Sequence, residues 1–347
     1  MKVAQFCSAL NGTYVAVASM LTLAQGLRDL GHTVEFVGFR GRGLGEVVEP
    51  LGFACHEVSV RFKLDPVAAV SLSWLLKRGD FDVIHSHLST SCLIGGWAGQ
   101  RVKVPSVATV HGLSRKWSFL TNRRLVAVSA EVKRHLVAQG VASSRVSIVH
   151  NGVEVGPTPS KGAREEARRN LGLEAGRPVV GTTARLTEAK GIHHALSAFA
   201  HVQHRHRSAK LVVFGDGPER ARLGELAVAL GVEKNVVFAG YRADVRELLP
   251  ALDAFVFPTL KEAMGIAVVE AMLAGVPVVA HRVGWVPEVV KEGTGYLVDV
   301  GDEDSLARRV ADLLYDEDLR GRMGSAAREW AATEFDARRM ADRKSVV

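Results

Sequence analysis

Cysteine is scarce in this chain of 347 residues: Cys7, Cys55 and Cys92 are the only three. They stand far apart and form no C-x-x-C, so neither a disulfide framework nor a cysteine metal site is on offer. Long apolar runs are missing too, and no stretch approaches the ~18–20 residues that cross a bilayer. The opening residues, Met1 to Leu10, carry one basic residue and a short apolar stretch, which reads as a first buried strand and not as a signal peptide. No short-period repeat occurs. The dinucleotide fingerprint G-x-G-x-x-G is absent after the first strand. Arg40-Gly41-Arg42-Gly43-Leu44-Gly45 imitates it after the second strand, where it reads as a mobile basic loop, so an NAD-linked dehydrogenase is disfavoured. These absences leave a globular, cytoplasmic protein as the expectation.

The apolar content of 47% and charged content of 23% suit such a chain, and its length suits two domains. The net charge of +7 is unevenly placed. Residues 1–155 hold 17 Lys and Arg against 10 Asp and Glu, while the remainder holds 27 of each. The first half clusters its cations at Arg61/Lys63, Lys77-Arg78, Arg101/Lys103, Arg115-Lys116, Arg123-Arg124 and Lys133-Arg134. Phe62, Trp74, Trp117 and Phe119 are interleaved with them. Such a face suits an anionic membrane surface, an anionic acceptor or nucleic acid, and is equally an ordinary solvated face.

Strand-like and helix-like stretches alternate in both halves. The first half has strand candidates at Val3–Cys7, Val34–Phe39, Val83–His85, Val107–Val110 and Leu125–Val128. Its helix candidates are Val15–Leu30, Val67–Lys77 and Glu131–Gly140. The second half repeats the plan from Val179 to Leu314. This pattern predicts an α/β protein with parallel sheets covered on both faces. Gly156-Pro157-Thr158-Pro159-Ser160-Lys161-Gly162 reads as a linker. The expected division is a first domain over 1–155, a linker over 156–163, a second domain over 164–330 and a truncated closing helix over 331–347. Two doubly wound, Rossmann-like domains facing across a cleft would place a ligand at the carboxyl ends of their strands.

The richest segment is Lys261-Glu262-Ala263-Met264-Gly265-Ile266-Ala267-Val268-Val269-Glu270. An apolar strand enters it, Pro258-Thr259 stops that strand, and a helix runs out of it to Gly275 and Pro277. Glu262 and Glu270 therefore flank the free N–H groups of Gly265, Ile266 and Ala267 at the positive end of a helix. A nucleotide diphosphate carrying a sugar matches this site, with phosphates for the N–H groups and hydroxyls for the carboxylates. Arg185 and Lys190 lie on a loop after the first strand of the second domain, where fixed cations would neutralise a diphosphate leaving group. In the first domain, Asp82-Val83-Ile84-His85-Ser86-His87, Thr109-Val110-His111-Gly112 and Val149-His150-Asn151-Gly152 all fall at strand exits. His111, followed by glycine, could reach a ligand. His85, His87 and His111 together could suggest a metal, but no carboxylate or cysteine partner has ligand spacing. His85 reads as a hydrogen-bonded core residue.

The Glu262–Glu270 segment resembles the E-x7-E motif of retaining glycosyltransferases of the GT-B fold, family-4 type. The resemblance is extended, in order, by Arg185 to Gly191, Gly215 to Arg220, Phe238 to Tyr241, Val283 to Glu288 and Gly295 to Val298. It implies transfer of a sugar from a nucleotide-diphosphate donor to a saccharide or lipid-linked acceptor with retention, in polysaccharide, lipopolysaccharide or glycolipid synthesis. Glu270 would hold the ribose hydroxyls, and Arg185, Lys190 and the N–H groups of 265–267 the diphosphate. Glu262 and His111 would serve the reacting sugar as catalytic residues, with no metal and no cofactor. Leu10-Asn11-Gly12-Thr13 stands where the family has a glycine pair. Gly12 would approach the donor, and Asn11 and Thr13 would lie on the acceptor side. The half-missing pair and Trp285, which replaces a second family glycine, are departures. With the basic first half, the resemblance points to peripheral work at the inner face of the plasma membrane, and the lack of any nucleic-acid signature argues against a nucleic-acid partner. A sugar-nucleotide epimerase of the same architecture and a non-catalytic nucleotide- or nucleic-acid-binding protein remain as rivals. The last six residues, Asp342 to Val347, can be encoded by a common sequencing-adapter read-through and are expected not to be native.

Overall fold

Short valine-rich runs, apolar on both faces, become the strands of two all-parallel sheets, because only a sheet covered on both sides can bury them. The structure, a computed structural model, describes residues 1–8 and 15–347. The predicted site residues Asn11, Gly12 and Thr13 lie outside the described residues. The chain divides into two units, Met1–Glu154 with Phe335–Val347, and Val155–Glu334.

The first unit holds β1 (Lys2–Cys7), β2 (Thr33–Phe39), β3 (Cys55–Val58), β4 (Val83–His87), β5 (Ser106–Val110), β6 (Arg124–Ala127) and β7 (Val146–Ile148), in the order β3-β2-β1-β4-β5-β6-β7. The second holds β8 (Val179–Thr183), β9 (Lys210–Phe214), β10 (Val236–Gly240), β11 (Ala254–Phe257), β12 (Val278–His281) and β13 (Gly295–Val298), in the order β10-β9-β8-β11-β12-β13. Both orders reverse direction beside their first strand, at β1/β4 and at β8/β11. Open parallel sheets bind ligands at such switch points, outside the carboxyl ends of the strands.

Helices cover the sheets where their apolar faces allow. Pro66–Arg78 is started by Asp65, whose carboxylate accepts from the Val67 and Ala68 amides, with Pro66 in the first turn. It buries Ala68, Ala69, Leu72 and Leu76. Each larger aliphatic so buried contributes about 1.5–3 kcal/mol. Helix Ser89–Val102 was not foreseen, because Gly95, Gly96 and Gly99 read against a helix. The glycines instead allow close packing: a Cβ on Gly96 would collide with the Thr121 side chain. Helix Glu317–Glu334 is a second addition to the predicted set.

The last helix, Ala337–Ser345, returns to the first unit. Val153 pairs with the chain there, its amide donating to Phe335 O at 2.8 Å and its carbonyl accepting from the Ala337 amide at 3.1 Å. Met340 and Ala341 are buried in the same core as Val17, Met20, Leu23 and Ala24 of helix Val15–Asp29.

The interleaved aromatics part company. Trp74 and Trp117 are 66% and 69% exposed, whereas Phe119 is 2% exposed and belongs to the core. Phe119 is therefore not available as the surface residue its neighbourhood of cations suggests.

Candidate active site

In the second unit, strand β11 ends at Phe257 and the chain turns through Pro258-Thr259 towards Gly265. Two interactions hold this turn. Thr259 Oγ1 lies 3.2 Å from Ala189 O, and the Leu260 amide donates to the same carbonyl at 2.9 Å. His281, at the end of β12, reaches Thr259 O through Nδ1 at 3.3 Å. Burial lowers its pKa, with the neighbouring His194 adding to the effect. From the far side, Gly284 presses on the turn. Its φ of 53° is left-handed, and a Cβ there would collide with the Glu262 carbonyl. Trp285, by contrast, is fully buried with helical angles of −78° and −20°, so that position needs no glycine.

The turn delivers Glu262 beside Lys190, with Nζ 2.7 Å from Oε2. The other oxygen, Oε1, accepts from the Ala263 amide at 3.1 Å. The helix Ile266–Leu273 follows, with Gly265 as its N-cap and no side-chain cap. The Val268 amide bonds Gly265 O, and the earlier amides of the turn are those a helix leaves without intrahelical partners. Glu270 lies one turn on, its Oε1 accepting from Arg246 Nε at 2.8 Å. The two carboxylate side chains are 10% and 14% exposed. Arg185 stands exposed on the loop after β8. Two shielded carboxylates, each beside a cation, thus bracket a helix N-terminus at the β8/β11 switch point.

In the first unit, the strand exits bring three histidines into a row. His85 Nε2 lies 2.7 Å from Thr109 Oγ1. His87 Nε2 lies 2.9 Å from Gln5 Oε1, and His87 Nδ1 lies 3.0 Å from His111 Nε2. His111 Nδ1 is buried without a hydrogen-bond partner among the described residues. Burial pushes the pKa of His85 and His87 well down, and that of His111 down to about 3. The nearby Lys344 ammonium adds to each shift. Its own Nζ is buried without a partner among the described residues, and burial brings its pKa down to about 7. Among the described residues no group of three or more His, Cys, Asp or Glu side chains could hold a metal ion.

This geometry can be set beside known proteins. The model for "Glycosyl transferases group 1" matches residues 163–330, and that for "Glycosyltransferase Family 4" matches residues 16–156. The D-inositol 3-phosphate glycosyltransferase of Corynebacterium efficiens is 31% identical over 81% of this chain and 76% of that protein. The chain belongs to the group 1, family-4 glycosyltransferases. The N-acetyl-alpha-D-glucosaminyl L-malate synthase of Bacillus anthracis is 28% identical to this glycosyltransferase over 90% of its chain and 88% of the relative. The crystal structure of Anabaena HepE in complex with UDP covers 100% of the enzyme and 99% of its own chain, with a TM-score of 0.89 at 21% identity. The fold is thus GT-B, built from two Rossmann-like domains.

The structure brings Glu262, Lys190, Gly265, Ile266, Ala267 and Glu270 of the glycosyltransferase together, and places Arg185 on the neighbouring loop. His111 is in the first unit. Sequence reasoning missed Arg246, Thr259, His281 and Gln5. Arg246 carried no signal, since arginine in a short helix of this surface is ordinary. Gln5 carried a faint one: a polar residue inside a strand otherwise apolar on both faces needs a buried partner.

Proposed function

We propose that this glycosyltransferase moves a sugar from a nucleotide-diphosphate donor to a saccharide or lipid-linked acceptor with retention of configuration and without a metal ion. The observation that carries the reading is the bracketed helix N-terminus. Glu270 takes the ribose hydroxyls, displacing Arg246. Arg185, Lys190 and the amides of the Gly265–Ala267 turn take the diphosphate, whose charge grows as it leaves. Glu262 faces the sugar and steadies the positive charge that develops on it, and His111 holds one of that sugar's hydroxyls. The departing phosphate oxygen receives the acceptor proton, so no separate protein base is required.

The work is in cell-surface polysaccharide or glycolipid synthesis, on the cytoplasmic side, with peripheral attachment to anionic membrane through the basic first unit. One relative, from Rhizobium meliloti, is named a lipopolysaccharide core biosynthesis glycosyltransferase, which supports the cell-surface part of this reading.

The test is thermal stabilisation by a panel of nucleotide sugars, followed by the anomeric configuration of the product made from the donor that binds. A donor present at 100 times its dissociation constant adds about 2.7 kcal/mol. Absence of stabilisation by every nucleotide sugar, or a product of inverted configuration, would overturn the proposal. Activity should persist in a chelator of divalent ions.

A further inference from the structure

The first unit contains a hydrogen-bonded row that the proposed function uses only at its end. Gln5 is fully buried in β1, His87 ends β4, and His111 follows β5. The register aligns Gln5 with His85 and Cys7 with His87, and it sets His87 beside Thr109. The row is therefore fixed by three adjacent strands and not by mobile loops.

Its chemistry has a direction. With the Gln5 amide set as it stands, Oε1 facing His87 and Nε2 without a partner among the described residues, the contact of Oε1 with His87 Nε2 places the proton on that nitrogen, because an amide oxygen only accepts. A neutral imidazole has one N–H, which leaves His87 Nδ1 bare. His87 Nδ1 then accepts from His111 Nε2, and His111 Nδ1 is bare in turn. That last nitrogen is buried and has no hydrogen-bond partner among the described residues. All three histidines are held neutral by burial, as the arrangement requires.

We propose that Gln5 and His87 are positioning residues that fix His111 in the tautomer with a bare Nδ1, so that this atom accepts a hydrogen bond from a sugar hydroxyl. The sugar part rests on the reading of His111 given above. Two consequences separate this from a general polar cluster. His111 cannot donate to a phosphate from Nδ1. The row also ends in an amide oxygen, which takes no proton. Burial holds the pKa of His111 down to about 3, so it accepts from a hydroxyl without taking up the proton.

The tautomers can be read directly. Long-range proton–nitrogen NMR of the full chain, labelled at histidine nitrogen and without ligand, should show His87 and His111 both protonated at Nε2. Protonation of His111 at Nδ1 would overturn the proposal whatever the enzyme binds. Gln5→Leu should release the preference and give His111 a mixed tautomer signal, and so should the closer-shaped Gln5→Met. If Gln5→Leu does not fold, the wild-type spectrum and Gln5→Met still decide. An unchanged tautomer in a folded Gln5→Leu would remove Gln5 from the role. Binding is then measured with UDP-glucose against UDP and with GDP-mannose against GDP. Gln5→Leu and His111→Ala should each weaken the nucleotide sugar about tenfold relative to the free nucleotide, the size of one hydrogen bond. If the tautomers are as expected but those ratios stay at one, the row stands and the sugar reading of His111 falls.

Discussion

Glu262 is a carboxylate shielded from water and held by Lys190 at 2.7 Å. Its charge matters most when the transferred sugar becomes cationic, so Glu262→Gln should cut turnover far more than donor affinity. Survival of turnover within about tenfold, roughly 1.4 kcal/mol, would sink that role. Lys344 is the opposite case, a buried ammonium with no acceptor among the described residues. Its folded pKa, about 7, lies below the ordinary 10.5. Between those values the unfolded chain binds more protons than the folded one, so stability should rise with pH through that window. The buried histidines act the same way lower down. Their folded pKa values are depressed, so stability should fall as pH drops below about 6.5. Lys344→Met should raise the melting temperature at neutral pH and flatten the rise above it. A lower melting temperature in that variant would show that the ammonium has a partner in solution.

At the scale of elements, the second unit is tied together at Asp253, 5% exposed at the entrance to β11. Its carboxylate accepts from Arg164 at 2.6 Å, from Arg168 at 2.9 Å and from the Val179 amide of β8 at 2.7 Å, with Arg320 at 3.5 Å. Two helices and the first strand thus share one anion. Asp253→Asn would leave three guanidinium groups around a neutral amide, and the loss expected for breaking a shielded ionic node is about 3–5 kcal/mol. Urea denaturation, with hydrogen exchange of the Val179 amide, measures it. A loss under about 1 kcal/mol would mean that water already screens the node. This node was invisible in the sequence, because its members stand far apart along the chain. The strands were legible, since runs such as Val179–Thr183 and Lys210–Phe214 can fold no other way once both faces are covered. The turn-and-helix from Glu262 to Glu270 was legible for a similar reason: Pro258, Gly265 and Gly275 punctuate it. Helix Ser89–Val102 was not, because glycine propensity argues against a helix and only the close neighbours Ser86, Thr121 and Val104 explain why Gly95, Gly96 and Gly99 belong there. Phe119 could not be told from Trp117 by composition, since burial is decided by partners that pattern does not reveal.

For the whole molecule, the excess of positive charge lies in the first half of the chain, and some of it stands beside exposed apolar side chains. Helix Pro66–Arg78 presents Val67 and Trp74 at 57% and 66% exposure, next to Lys77 and Arg78. Phe62 and Leu64 are 54% and 55% exposed just before it, with Arg61 and Lys63. Each cation close to an anionic leaflet contributes about 1 kcal/mol, which fades within a Debye length. Co-sedimentation with anionic vesicles should therefore occur at low salt, weaken at high salt, and fail with neutral vesicles. Trp74→Ser combined with Lys77→Ser should reduce it. Equal binding to both vesicle types, or to neither, would return this face to ordinary solvated surface.

The returning helix has a consequence for how the protein is made. The core around Val17, Met20 and Leu23 is completed by Met340 and Ala341, which are synthesised after the second unit. Synthesis runs at about 5–20 residues per second. The first unit therefore waits on the order of ten seconds or more, with an apolar seam uncovered, while the whole second unit is built. The second unit is contiguous from Val155 to Glu334 and can close before the first is finished. The first unit, begun before the second, is thus completed after it. Nascent chains of this enzyme should bind trigger factor or a similar holdase through helix Val15–Asp29 until release, and slowing translation should lengthen that hold without changing the final fold.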